Sequence, residues 1–220
     1  MRKVIYTAIT ADYDRLQPIP YDFRREWGAV CFTDGEIPPA DGWEIVRISG
    51  NGLPPIGLSK KVKALSHQFL PWADLSLWID ASLVVKAPLD EYVGRLPDED
   101  LILIRHPERN CVYDEMDACI QLNKAEPESI ESQRNFYQAI GFPHNWGLFK
   151  AGILLRKKSE RVADFNFRWW VRTMQFANWR DQLSLPLVLR EMRWHPALIE
   201  DSILRPFFKQ IVVHRKRKGK

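Results

Sequence analysis

The sequence predicts an α/β fold built on one mixed, mostly parallel sheet flanked by helices, and three observations carry that expectation. Short β-branched, apolar runs dominate the first half, and stretches with helical spacing dominate the second. Several of the apolar runs stop on polar residues, as strands do in nucleotide-binding α/β sheets. The 220 residues are 45% apolar and 27% charged, which suits one folded domain able to bury most of its chain without covalent staples.

Residues 4–10 (VIYTAIT) read as a buried first strand, followed by a polar turn through Asp12 and Asp14. Residues 29–33 (AVCFT) form a second strand ending at Asp34, and residues 43–48 alternate as a third. A Gly/Pro-rich loop spans 50–57. Ser59 reads as the N-cap of a helix carrying Val62, Leu65, Phe69 and Leu70. Lys60, Lys61 and Lys63 then fall in its first turn, where cations oppose the helix dipole and hint at an anionic partner or are simply solvated. Residues 75–79 (LSLWI) are a further strand stopping at Asp80, and 83–85 a short run. Residues 101–104 form a strand ending at Arg105 and His106. Helices are expected over 112–124, 127–140, 162–176 and 182–192, a late strand over 152–156 and a closing strand over 211–213.

Ligands of such sheets bind beyond the carboxyl ends of the strands, so the polar strand ends are the places to look. Asp80 leaves a very apolar strand. Either a divalent cation carrying a diphosphate pairs with it, or it is a turn or cap residue. Arg105, His106 and Arg109 could hold diphosphate or an anionic sugar, or could pair with Asp114 and Glu115. His67 lies four residues beyond Lys63, on the same face of one helix, where either could touch a donor. Nine tryptophans offer flat faces that suit sugar rings, or are large core aromatics.

Other classes are excluded or weak. The sequence contains no P-loop, dinucleotide or hydrolase-elbow motif, and no zinc-ligand spacing. Three cysteines without a C-x-x-C pair point to a reducing, cytoplasmic location and to small apolar packing. No apolar run reaches the roughly 20 residues of a membrane span. The opening MRKVI shows no signal-peptide pattern. Much of the net charge of +4 sits in residues 215–220 (RKRKGK), so nucleic acid is not an expected partner. That tail could give weak peripheral attachment to an anionic membrane face, or be disordered.

The ordered set of motifs resembles the GT-A fold of nucleotide-sugar glycosyltransferases, and more narrowly the TOD/MUCI-like glycosyltransferase domains. The residues are VIYTAIT at 4–10, Lys63 with His67, FLP at 69–71, WID at 78–80, and RHP at 105–107 with Arg109. They continue with CVYDE at 111–115, Gln133 with Tyr137, GILLR at 152–156 and RDQLS at 180–184. The resemblance implies a single GT-A-like domain over 1–214 with a nucleotide-binding first half, followed by the basic tail. It implies transfer of a sugar from a nucleoside diphosphate sugar to a glycan or polysaccharide hydroxyl. The alternative is an inactive carbohydrate- or nucleotide-binding module on the same fold, for which Ser82, standing where a second Asp is common, is the best argument.

On that reading Thr7, Ala8, Tyr13 and Asp34 hold the nucleoside. Lys63, His67, Ser82, Arg105, His106 and Gln182 complete the donor site. Asp80, with His214 as a second ligand, holds Mn²⁺ or Mg²⁺ on the diphosphate. Asp181 is the candidate acceptor-side base, or a helix-start residue paired with Arg180.

Overall fold

The computed structural model describes residues 1–211. Seven strands form the central sheet. They are β1 (Lys3–Ile9), β2 (Gly28–Thr33), β3 (Glu44–Arg47), β4 (Leu75–Ile79), β6 (Leu101–Arg105), β7 (Phe149–Lys157) and β8 (Ala197–Ile199). Their spatial order is β3-β2-β1-β4-β7-β6-β8. All run parallel except β7, which is antiparallel to both neighbours. Strands β5 (Leu83–Val85) and β9 (Phe208–Gln210) pair as a separate two-stranded sheet. The expected α/β class, with a mostly parallel central sheet flanked by helices, is the one observed.

Central strands β1 and β4 are covered on both faces, which explains their near-continuous apolar sequence. On one face Val4, Tyr6, Trp78, Leu103 and Leu154 pack with residues from α2 (Pro55–Ala64), α7 (Glu160–Gln175) and α8 (Asp181–Glu191). On the other face Ile5, Leu77, Ile79, Ile102 and Leu155 meet Leu89 and Tyr92 of α4 (Leu89–Gly94), along with Phe207 and Phe208. The helices α5 (Val112–Gln121) and α6 (Pro127–Ala139) close a third cluster around Met116, Tyr137 and Leu183. The longest helix, α7, starts where the Ser159 hydroxyl accepts the Val162 N–H, and it buries Val162, Phe165, Trp169 and Trp170. All three cysteines are free and buried. No helix among the described residues is long and apolar enough to cross a membrane.

Several boundaries differ from expectation. Helix α2 begins at Pro55, not after Ser59, because proline at the first helical position needs no N–H partner and brings a suitable φ. Lys61 and Lys63 therefore lie in its last turn, where the dipole favours cations, and the supposed dipole conflict is absent. The chain breaks at Leu65 before a separate single turn, α3 (Ser66–Phe69), so Lys63 and His67 do not share one helix. The closing strand ends at Gln210; residues 212–213, His214 and the basic tail lie outside the described residues. The short elements α1 (Tyr21–Arg24), α4 and β8 had no sequence signal.

Candidate active site

Period-two alternation puts Trp78 and Asp80 on the same side of β4, so the indole and the carboxylate lie one above the other. Trp78 Nε1 donates to Asp80 Oδ1 at 2.8 Å. The Asp80 backbone is fixed by its N–H to the Gly152 carbonyl at 2.8 Å and by a turn to Leu83 N at 2.9 Å. A Cβ on Gly152 would come 3.2 Å from Asp80 Oδ2, so glycine is what leaves that oxygen room. The Asp80 side chain is 44% exposed and faces outward at the strand end.

Three further charges converge there. Lys63 Nζ, on a side chain only 2% exposed, lies 2.7 Å from Asp181 Oδ2 and 3.5 Å from Asp80 Oδ1. It also sits over the Trp78 ring at 5.6 Å. Lys60 Nζ lies 2.9 Å from Asp181 Oδ1. Burial alone would raise the Asp181 pKa, but Lys60 and Lys63 outweigh it and hold the carboxyl well below the usual range. Burial would likewise discharge Lys63, yet Asp181 and Asp80 keep its pKa raised. In Lys60 burial wins over the pull of Asp181, and its pKa is lowered. Arg180 adds a third cation near Lys60, and its Nε is buried with no hydrogen-bond partner.

The cluster rests on a second set of polar contacts. Arg156, 1% exposed, reaches from β7 to the last carbonyls of α2, with Nη2 donating to Lys63 O at 2.7 Å and Nη1 to Ala64 O at 3.3 Å. It also donates to Asn166 Oδ1 at 2.7 Å and to the Tyr6 hydroxyl. At the other end of α2, Thr10 Oγ1 donates to Pro55 O at 2.8 Å. The start of α8 is held by a relay. Asn178 Oδ1 accepts the Arg180 N–H, Asn178 Nδ2 donates to Gln133 Oε1, Gln133 donates to the Tyr137 hydroxyl, and that hydroxyl donates to Leu183 O. Trp169 Nε1 donates to the Asp181 carbonyl at 2.8 Å. Trp179, in the left-handed region at φ 57°, lays its ring on Gly57, where a Cβ would come within 2.8 Å.

The remaining expected residues divide. Thr7 is fully buried and Ala8 is packed into the core, so neither presents a side chain to a ligand. Tyr13 is half-exposed, and Asp34 Oδ1 accepts the Ala11 N–H at 2.9 Å, tying the loop after β1 to the end of β2. Ser82 and Gln182 are half-buried. His67 belongs with the Arg156 contacts: its Nδ1 lies 3.3 Å from Asn166 Nδ2, and burial and Arg156 lower its pKa. His106 Nδ1 accepts the N–H groups of Glu108 and Arg109, and burial lowers its pKa, leaving a neutral imidazole. Arg109 Nε donates to the buried Glu115 carboxylate at 2.7 Å, and Arg105 pairs with Glu200 at 3.1 Å.

Arg105, His106 and Arg109 line a cleft of about 620 Å³ with Asn110, Trp146 and His195. It opens beyond the end of β6, two strands from β4, and Asp80 is not in its lining.

Among the described residues the donor set beside Asp80 is a single carboxylate, which is poor for a divalent cation. Among the described residues no three His, Cys, Asp or Glu side chains are grouped to hold one. Oδ1 of Asp80 already accepts an indole N–H and faces an ammonium group. His214, expected as a second ligand, lies outside the described residues.

No curated protein matches the chain. Among solved structures it is similar to the apo structure of the WbbM bifunctional glycosyltransferase, at 13% identity and a TM-score of 0.49. The match covers 85% of this chain and 37% of that one, so the chain spans well under two thirds of that protein. The profile of the TOD1/MUCI70, glycosyltransferase-like domain matches residues 41–214, which include Lys60, Lys63, Asp80, Arg156, Arg180 and Asp181. On that match the chain belongs to the TOD1/MUCI70 glycosyltransferase-like family.

Proposed function

We propose that the domain transfers a glycosyl group from a nucleoside diphosphate sugar to a hydroxyl of a glycan. The observation that carries the reading is the cluster of Lys60, Lys63, Asp80 and Asp181 at the carboxyl end of β4, in a chain of a glycosyltransferase-like family. In the reaction the bond between the anomeric carbon and the β-phosphate oxygen breaks, and its electron pair leaves on the phosphate. The acceptor oxygen bonds the anomeric carbon and releases its proton to water.

The cations are placed to favour the charge that develops on the leaving diphosphate. Oδ2 of Asp80, kept clear by Gly152, is free to accept hydrogen bonds from donor-sugar hydroxyls. Asp181, with one ammonium group on each oxygen, orients the two lysines in this reading and is not the acceptor-side base. The acceptor lies in the cleft beside Trp146, His106 and Asn110, where a half-buried indole meets polar side chains.

The test is release of nucleoside diphosphate from a panel of sugar nucleotides, with and without glycan acceptors. Asp80→Asn is expected to lower turnover by about 100-fold or more, the scale seen when one preorganised polar contact to a reacting centre is lost. Binding of a nucleotide without release of product would instead identify a binding module.

A further inference from the structure

We infer that the positive charge offsetting the donor diphosphate is supplied by Lys60 and Arg180, backed by Lys63, and that donor binding and turnover need no divalent cation. This deepens the glycosyl-transfer reading and rests on it.

Three observations support the inference. The first is a built-in cation: the Lys63 ammonium group, only 2% exposed, already lies 3.5 Å from Asp80 Oδ1, so that oxygen is neutralised from within the chain. The second is the charge balance. Lys60 and Lys63 face Asp80 and Asp181, two cations against two carboxylates, and Arg180, which lies near Lys60 and against Cys119, adds a third positive charge, while Arg109 and Glu115 pair with each other next door. An anionic ligand completes that balance, whereas an added dication would increase the surplus. The third is a guanidinium outside these ion pairs: Arg180 is half-buried near Lys60, and a guanidinium is suited to phosphate oxygens. Lys60 is 19% exposed and Arg180 half-buried, so these two are the groups a diphosphate can touch. Lys63 acts from behind, keeping both carboxylates neutralised.

The cluster is assembled by the fold. Arg156 holds the end of α2 that carries Lys63, and the Asn178–Gln133–Tyr137 relay holds the start of α8. A cation that is part of the chain costs no separate binding step and is in place before the donor arrives.

The experiment is calorimetric titration of the full chain with UDP, GDP, ADP, CDP and TDP, each in EDTA and again with Mn²⁺ or Mg²⁺. Turnover of the matching sugar nucleotide is measured in the same buffers. The expected result is that one nucleotide binds with affinity and turnover unchanged within about threefold by EDTA. Arg180→Met and Lys60→Met should each weaken that binding by tenfold or more. Thermal unfolding checks that both variants are folded, and the metal comparison on the unmodified chain stands without them. Binding or turnover that disappears in EDTA and returns with Mn²⁺ or Mg²⁺ overturns the inference and leaves the glycosyl-transfer reading intact. Unchanged affinity in both folded variants also overturns it. If none of the five nucleotides binds in any buffer, both the inference and the underlying reading fall.

Discussion

Asp181 shows how one residue can be both expensive and necessary. Its side chain is 7% exposed and ionised, which is tolerable only because Lys60 and Lys63 each occupy one oxygen. Asp181→Asn leaves two ammonium groups short of a partner and is expected to cost about 3–5 kcal/mol, measured by urea denaturation near neutral pH. The pH dependence follows from the depressed pKa. The carboxylate's contribution is present above its unfolded value of about 3.9 and is lost as pH falls through the folded value. The stability gap between wild type and variant should therefore narrow below about pH 4. A gap that stays constant into acid would contradict this account. Lys63, Asp80 and Asp181 were legible in the sequence through their motifs. Arg156 stands in the sequence only as the last residue of the strand-like run GILLR. Its partner carbonyl on Lys63 is 93 residues away, and no local spacing encodes such a contact.

The elements that carry the site were mostly readable, with an instructive error at α2. Pro54 and Pro55 looked like the end of a loop and Ser59 like a cap, whereas Pro55 is the first residue of the helix. Moving the start back by one turn transfers Lys61 and Lys63 from the wrong end of the dipole to the right one. The strands β1, β2, β4 and β6 were visible because runs buried on both faces are apolar throughout. Strand β8, three residues long beside His195 and Pro196, is too short to leave a periodic signal. At this scale Gly152 on β7 provides the sharpest test, since a methyl group there would press on Asp80 Oδ2 at 3.2 Å. Gly152→Ala is expected to lower sugar-nucleotide turnover at least tenfold while shifting stability by less than about 1 kcal/mol, because the contact is the tip of a half-exposed side chain. Equal losses of fold and activity would mean that the glycine serves packing alone.

Strand order, and which strand is reversed, are properties of the whole molecule, and the sequence carried neither. Composition could indicate one mixed sheet, but nothing in residues 149–157 marks β7 as the strand that runs against the rest. That reversal brings the beginning of β7 to the rim where β4 and β6 finish. The incoming connection supplies Asn145, Trp146, Gly147 and Leu148 to the cleft wall and none of the charged side chains beside Asp80. On the proposed reading, choice of recipient and grip on the activated sugar would then fall on separate stretches of chain. Grafting a foreign 141–148 segment is expected to change which glycan accepts the sugar while nucleotide affinity stays within about threefold, the spread usual for changes outside a contact surface. Loss of nucleotide affinity in a folded chimaera would show that the two are not separable. Such a division would let new linkages arise by editing one short connector without rebuilding the chemistry next to it.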